Sequence, residues 1–216
     1  TFDIDLGTVE MTVATPGDPR NGVSLKSLRG KGQTKVHIAY GGSCTGGKKA
    51  DMDMYAEVIA AAVKKGLQVP RGVTAFIQFG SQEIRRYAES KGYVELFAKA
   101  GVEMIHPSCG ACINAGPGAS TSKEQVTVSA INRNFPGRSG PGQVYLASPF
   151  TVAASAIAAV DTDAAGTVLF VSTSDGRMCA HRLPDGPLLW NGPSPSLPVR
   201  LAAAPSGEFI ASIGET

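Results

Sequence analysis

Apolar, strand-like runs alternate with amphipathic, helix-like runs between residues 35 and 158, and this constrains the fold more than any other feature of the chain. Lys35-Val-His-Ile-Ala-Tyr40 reads as a buried strand. The spacing of Tyr55, Val58, Ile59, Ala62 and Val63 predicts a helix over Asp51 to Lys65, stopped at Gly66. Val73 to Phe79 reads as a second strand, after which Ser81 caps a helix carrying Ile84, Tyr87 and Ala88. Tyr93 to Lys99 forms a further short helix before Gly101, and Val102 to Ile105 is a third strand. Val126 to Ser129 and Val144 to Leu146 are later strands, and Ser148-Pro149 opens a small-residue helix reaching Ala158. Such alternation requires crossover connections. The expected fold is α/β, three-layered, with a largely parallel sheet and helices on both faces.

The pattern changes after Asp161. Val168 to Ser172, Met178 to Arg182, Val199 to Ala202 and Phe209 to Ile213 read as short strands, separated by Asp175-Gly176, Pro184-Asp185-Gly186 and Pro205-Ser206-Gly207. An antiparallel tail is expected, with room for about one or two four-stranded blades. The division predicted is an α/β domain over 1–158 and a β module over 159–216.

Composition narrows the function. With 43% hydrophobic and 18% charged residues the chain folds rather than staying disordered. A net charge of +2, spread singly or in pairs, gives no electrostatic case for nucleic acid or an anionic membrane surface. No apolar run reaches the roughly 18 residues of a membrane span. Thr1 to Leu6 carry no targeting signal and no initiator methionine, so the chain reads as starting inside a larger protein. Four cysteines without a secretion signal suit a reducing compartment: the cytoplasm, or the mitochondrial matrix of a eukaryote. Glycine stands out, at 26 of 216 residues, clustered around Gly41 to Gly47 and Gly110 to Gly142. Both stretches follow strands, where an α/β sheet places its ligands.

Those loops also hold the cysteines. Gly42-Ser-Cys-Thr-Gly-Gly-Lys48-Lys49 nearly matches a phosphate loop, but Lys49 stands where a magnesium-binding hydroxyl belongs. Cysteine inside the loop suggests another use, since backbone N–H groups at a helix start stabilise a thiolate as readily as a phosphate. Cys109-Gly-Ala-Cys112 by itself fits a redox pair, half a zinc site or two ligands of an iron–sulfur cluster. Three thiolates on glycine-rich loops suit best a [4Fe–4S] cluster with one iron left open, able to act as a Lewis acid. Asn132-Arg-Asn-Phe-Pro-Gly-Arg138 adds two arginines in a bent segment after a strand, a pair suited to clamping a carboxylate.

At these residues a family resemblance emerges. Ile38-Ala-Tyr-Gly-Gly-Ser-Cys-Thr45, Ser108-Cys-Gly-Ala-Cys112, Ser129-Ala-Ile-Asn-Arg-Asn-Phe-Pro-Gly-Arg138 and Tyr145-Leu-Ala-Ser-Pro149 resemble, in order and spacing, the aconitase family. That family includes the large subunits of 3-isopropylmalate dehydratase and homoaconitase. The resemblance covers roughly residues 1 to 157 and implies that Cys44, Cys109 and Cys112 hold three irons of a [4Fe–4S] cluster. It implies active-site roles for Asn132, Arg133 and Arg138, the arginines binding carboxylate. The reaction implied is a dehydration and rehydration of a di- or tricarboxylic hydroxy acid, with a small swivelling-domain subunit as possible partner.

Gly46 stands where the family usually has asparagine, and Ile113-Asn-Ala-Gly-Pro117 is an unusual continuation, so the hydroxy acid is left unassigned. The family's upstream acid–base residues are expected on segments outside these 216 residues, so this chain alone is expected not to turn over. The competing class is a non-catalytic scaffold, with a relic aconitase domain and a partial propeller. His37 reads as a hydrogen-bonded structural residue and Lys48 and Lys49 as solvated. His106 lies near the cysteine loop, while His181 and Cys179 belong to the tail, Cys179 as a small hydrophobe.

Overall fold

The structure, a computed structural model, describes residues 3, 5–28 and 34–157, and beyond them only the backbone of six short strands. Among the described residues the first body is a seven-stranded mixed sheet with four α-helices. In chain order its elements are β1 (Thr12–Ala14), β2 (Gly22–Ser24), β3 (Ile38–Gly42), α1 (Lys49–Lys64), β4 (Thr74–Gln78), α2 (Gln82–Ser90), α3 (Tyr93–Lys99), β5 (Glu103–Ile105), β6 (Val126–Ser129), β7 (Gln143–Leu146) and α4 (Pro149–Ile157). Sheet order is β2-β1-β7-β6-β3-β4-β5. The five strands from β3 to β7 pair in parallel. Only β1 and β2 run antiparallel to their neighbours. This is the α/β architecture that the alternation predicts.

The two faces differ. Ala39, Ala75 and Ile77 point to a core built with Met52, Tyr55, Ala56 and Ile59 of α1, Phe97 of α3, and Val152, Ala153 and Ala156 of α4. The alanines of α1 and α4 let these helices approach closely. Alternate residues of the same strands, Ile38, Tyr40 and Phe76, point the other way with Val144 of β7, as a pleat of period two requires. They meet Ala111 and Cys112 on a 3₁₀ turn over Gly110–Ile113. The second helical layer is thus a single short turn and its flanking loops, because the segment from β5 back to β6 has glycine and proline where a helix would need apolar periodicity.

Local signals work as expected. Ser81 Oγ accepts the Ile84 N–H at 3.3 Å to cap α2, and Ser148 Oγ accepts that of Thr151 at 3.3 Å to start α4. His37 is structural, its Nδ1 accepting the Val126 N–H at 3.1 Å. The short strands β1 and β2 at one end of the sheet carry too little apolar pattern to be read from sequence.

In the tail, β8 (Val160–Thr162), β9 (Val168–Thr173), β10 (Arg177–Arg182) and β11 (Leu188–Pro193) form an antiparallel sheet, and β12 (Arg200–Ala203) pairs with β13 (Ile210–Ile213). The side chains of Cys179 and His181 lie outside the described residues. Among the described residues no helix is long and apolar enough to cross a membrane.

At the C-terminal end of β3, Gly42 has φ +89°, and a Cβ there would run into the carbonyl of Gln78 on the neighbouring strand. Gly42→Ala therefore combines left-handed backbone strain with a backbone clash. It should cost roughly 3 kcal/mol and lower the thermal midpoint by about 6–12 °C, measurable by circular dichroism.

Candidate functional site

Parallel strands present their C-terminal ends on one edge of a sheet, and here that edge gathers the polar chemistry. The Cys44 loop leaves β3, the Cys109–Cys112 turn comes after β5, and the Asn132–Arg138 segment leaves β6. β3 and β6 are neighbours, yet the chain after β3 proceeds to β4 and β5 on one side, while β6 proceeds to β7 on the other. Their loops diverge and leave a crevice between them, the position where open α/β sheets hold ligands.

Cys112 is the centre of the arrangement. Its side chain is buried, whereas Cys44 and Cys109 are exposed, and all three are free thiols. Burial pushes the Cys112 thiol up, and the nearby Cys44 and Cys109 thiols push it further in the same direction. The Arg138 guanidinium and a hydrogen bond with the Ser43 side chain oppose that rise. Residues from three separate loops thus act electrostatically on one sulfur. Among the described residues no three His, Cys, Asp or Glu side chains gather about a single point as a mononuclear ion needs.

Ser43 ties the loops together. It is fully buried with φ +111°, and its Oγ accepts the Gly46 N–H at 3.1 Å and the Thr45 N–H at 3.3 Å while also contacting Cys112. A non-glycine residue at such a φ is strained, and that strain sits beside the thiols. Gly46, the departure from the family's asparagine, lies against β6's outgoing segment: a Cβ there would stand 2.5 Å from the Ala130 carbonyl oxygen. The two loops therefore close on each other through bare backbone.

The arginines divide. Arg138 is half-buried, its Nε is buried without a hydrogen-bond partner, and its charge reaches Cys112. Asn132 and Arg133 are exposed on the same loop, and among the described residues neither shows a contact with the thiols. Asn134, on the same loop, is a residue that sequence reasoning does not single out. It is 2% exposed, and its Nδ2 donates to Thr15 O at 2.8 Å and to Val144 O at 3.0 Å, fastening the arginine loop to the turn after β1 and to β7.

Gln78, at the end of β4, is another such residue. It is fully buried, accepts the Tyr40 hydroxyl at 2.8 Å, and donates to Ser108 O at 2.9 Å at the entry to the cysteine turn. A polar residue closing the apolar run Ala75-Phe-Ile-Gln78 is the available signal. Burial pushes the phenols of Tyr40 and Tyr55 well above the ordinary tyrosine range.

Of the two lysines near Cys44, Lys49 has a carboxylate partner. A cleft of about 420 Å³ lies between the starts of α1 and α2, bordered by Cys44, Lys48, Lys49 and Ser81. Lys49 pairs with Glu83 at 2.6 Å, and the Lys48 N–H donates to the Asp51 carboxylate at 2.9 Å. Lys49, at the position of the magnesium-binding hydroxyl in the phosphate-loop pattern, is thus held by a carboxylate, and the Lys48 N–H at the start of α1 already has a carboxylate partner. His106 is exposed at the end of β5, with Nδ1 2.9 Å from Arg85 Nη1.

Comparison with known proteins places the chain in a family. The profile of the aconitase family (aconitate hydratase) matches residues 1–159. The 3-isopropylmalate dehydratase large subunit of Campylobacter hominis is 36% identical over 165 residues, covering 76% of this chain and 38% of that protein. Those of Clostridioides difficile and Wolinella succinogenes are each 37% identical, over 158 and 165 residues, covering 72% and 76% of this chain and 35% and 37% of theirs. The chain thus spans little more than a third of the length of the curated relatives it matches. Taken with the parallel sheet and the cysteine loops on its C-terminal edge, these matches show that the chain belongs to the aconitase family.

Proposed function

We propose that this chain is the cluster-bearing part of a hydro-lyase, with residues 1–158 as the functional unit and 159–216 as an appended β module. Cys44, Cys109 and Cys112 are the residues that would hold a [4Fe–4S] cluster. The donor set fits such a group. Burial and the neighbouring cysteines push the Cys112 thiol up, and binding to positively charged irons would favour its thiolate. When bound, a cluster of this kind supplies a Lewis-acidic iron for a substrate hydroxyl.

The rest of the site belongs to the chain's own groups. Arg138 carries a buried, unpartnered Nε beside the thiols, which makes it the residue to hold a substrate carboxylate through its planar fork. Exposed Arg133 and Asn132 on the same loop would complete the polar wall once substrate or a further domain covers them. Ser43 donates towards Cys112 and favours its thiolate. The substrate class is a hydroxy di- or tricarboxylate. Relatives described as large subunits point to a small subunit as partner. The observation that carries the reading is the convergence of Cys44, Cys109 and Arg138 on Cys112.

Anaerobic reconstitution with iron and sulfide tests it. We expect roughly four irons per chain and a broad visible absorption band, and a marked loss of both when Cys44, Cys109 or Cys112 is replaced by serine. Cys179→Ser should keep the iron. Uptake of zinc in place of iron, or iron binding indifferent to all three substitutions, would refute the cluster.

Arg138→Lys supplies a second test in the full enzyme with its small subunit. A point charge cannot reproduce a two-point grip, so kcat/KM should fall about tenfold, near 1.4 kcal/mol, with iron content unchanged. Kinetics equal to the parent's would return Arg138 to a structural role.

A further inference from the structure

Two buried tyrosine hydroxyls stand under the two thiol loops. Tyr40, in the middle of β3, is 1% exposed. Its hydroxyl donates to Gln78 Oε1 at 2.8 Å and takes the N–H of Ala111, inside the cysteine turn. Gln78 then directs its amide hydrogens to the entry of that turn: Nε2 lies 2.7 Å from Ser108 Oγ, 2.9 Å from Ser108 O and 3.3 Å from His106 O. Four hydrogen bonds thus tie the segment from His106 to Ala111 to one tyrosine–glutamine pair.

The Cys44 loop has its own counterpart. Tyr55 of α1 is fully buried, accepts the Gly42 N–H at 2.9 Å and donates to Gly46 O at 3.2 Å. Gly42 and Gly46 bracket Cys44, so one hydroxyl pins both sides of that thiol. The ring needs the glycine at 41, where a Cβ would stand 2.9 Å from Cε1 and Cζ. Phenylalanine would fill either ring site equally well, so packing accounts for the rings and leaves the hydroxyls to be explained. Each hydroxyl bonds the backbone of a cysteine loop.

We propose that Tyr40, acting with Gln78, and Tyr55 are positioning residues. Each sets one thiol loop independently, so that Cys44 on one side and Cys109 and Cys112 on the other face each other before any cofactor arrives. The physical reason is entropic. Short glycine-rich loops fix their own geometry poorly, and a buried hydrogen bond to each loop removes that freedom in advance. The consequence for a bound cluster rests on the proposed function, whereas the positioning of the loops does not.

Hydrogen exchange followed by peptide mass in the metal-free chain reads the two loops separately. Tyr55→Phe should speed exchange in residues 42–47 by about tenfold and leave 108–113 within roughly threefold of the parent. Tyr40→Phe and Gln78→Met should do the reverse, and their combination should add little, because both break one chain of bonds. Tyr93→Phe, which loses a hydroxyl contact to Asp53 away from both loops, should move neither. Both loops loosening together in each variant, or neither, would show a merely structural role and overturn the proposal. If Gln78→Met fails to fold, the two Tyr→Phe variants still decide the matter.

A second arm uses reconstituted protein. Iron release to a chelator should run about fivefold faster in Tyr40→Phe and in Tyr55→Phe than in Tyr93→Phe. Parent-like release from loosened loops would refute the link to the cofactor. A parent chain that takes up no iron would defeat the proposed function, while the exchange results would still stand or fall alone.

Discussion

The parallel pairing of β3 with strands on both sides is the constraint on which everything else depends. It aligns Ile38, Ala39 and Tyr40 with Thr127, Val128 and Ser129 on one side and with Thr74, Ala75 and Phe76 on the other. Parallel neighbours cannot be joined by a tight turn, so each link must cross a face of the sheet, and crossovers of one hand place successive helices together. The helices accordingly share one core, and the opposite face is left for the cysteine turn. That same pairing brings the outgoing ends of β3 and β6 side by side.

Apolar and polar contacts divide the labour from there. The apolar layers hold the sheet. Polar pins at its C-terminal edge then set the loops: Ser129 Oγ donates to Tyr40 O at 2.8 Å and accepts the Ile131 N–H at 3.2 Å, turning the chain out of β6 towards the arginines. Asn134 and Gln78 do the same for their own segments. Each of these groups is buried, and a buried polar group without partners costs about 1–3 kcal/mol, so the loops have few alternative arrangements. Among the described residues four exceptions are buried without partners: Thr127 Oγ1 within β6 and, close together in the chain, Asn134 Oδ1, Arg138 Nε and Ser139 Oγ. Unsatisfied polarity of this kind sits where a ligand would be expected to supply what is lacking.

Electrostatics at the edge are likewise a matter of neighbours from different strands. The Cys112 thiol is pushed up by burial and by two other thiols and drawn down by Arg138 and Ser43. None of these is adjacent to it in sequence. The Arg20–Asp18 pair gives the contrast: the guanidinium two residues away holds Asp18 down to about 2 through a contact within one short turn. At Cys112, by contrast, Cys44, Ser43 and Arg138 reach the thiol from other loops.

Much of this architecture is legible along the chain. The helices and central strands announce themselves through apolar spacing, caps and stops, because those signals are local: Ser81, Ser148-Pro149 and Gly66 act within a turn of where they stand. The cysteines and the arginine segment are legible as chemistry because their types and short spacings are unusual. Gln78, Asn134 and Ser43 are not legible, since a buried polar side chain takes its meaning from backbone groups as many as 119 residues away, as Asn134 does at Thr15. Nor could the sequence say that Arg138 turns inward while Arg133 stays exposed on the same loop. Local periodicity determined the elements and their chemistry. Only the sheet order, through which distant loops share one edge, decided which of those groups meet.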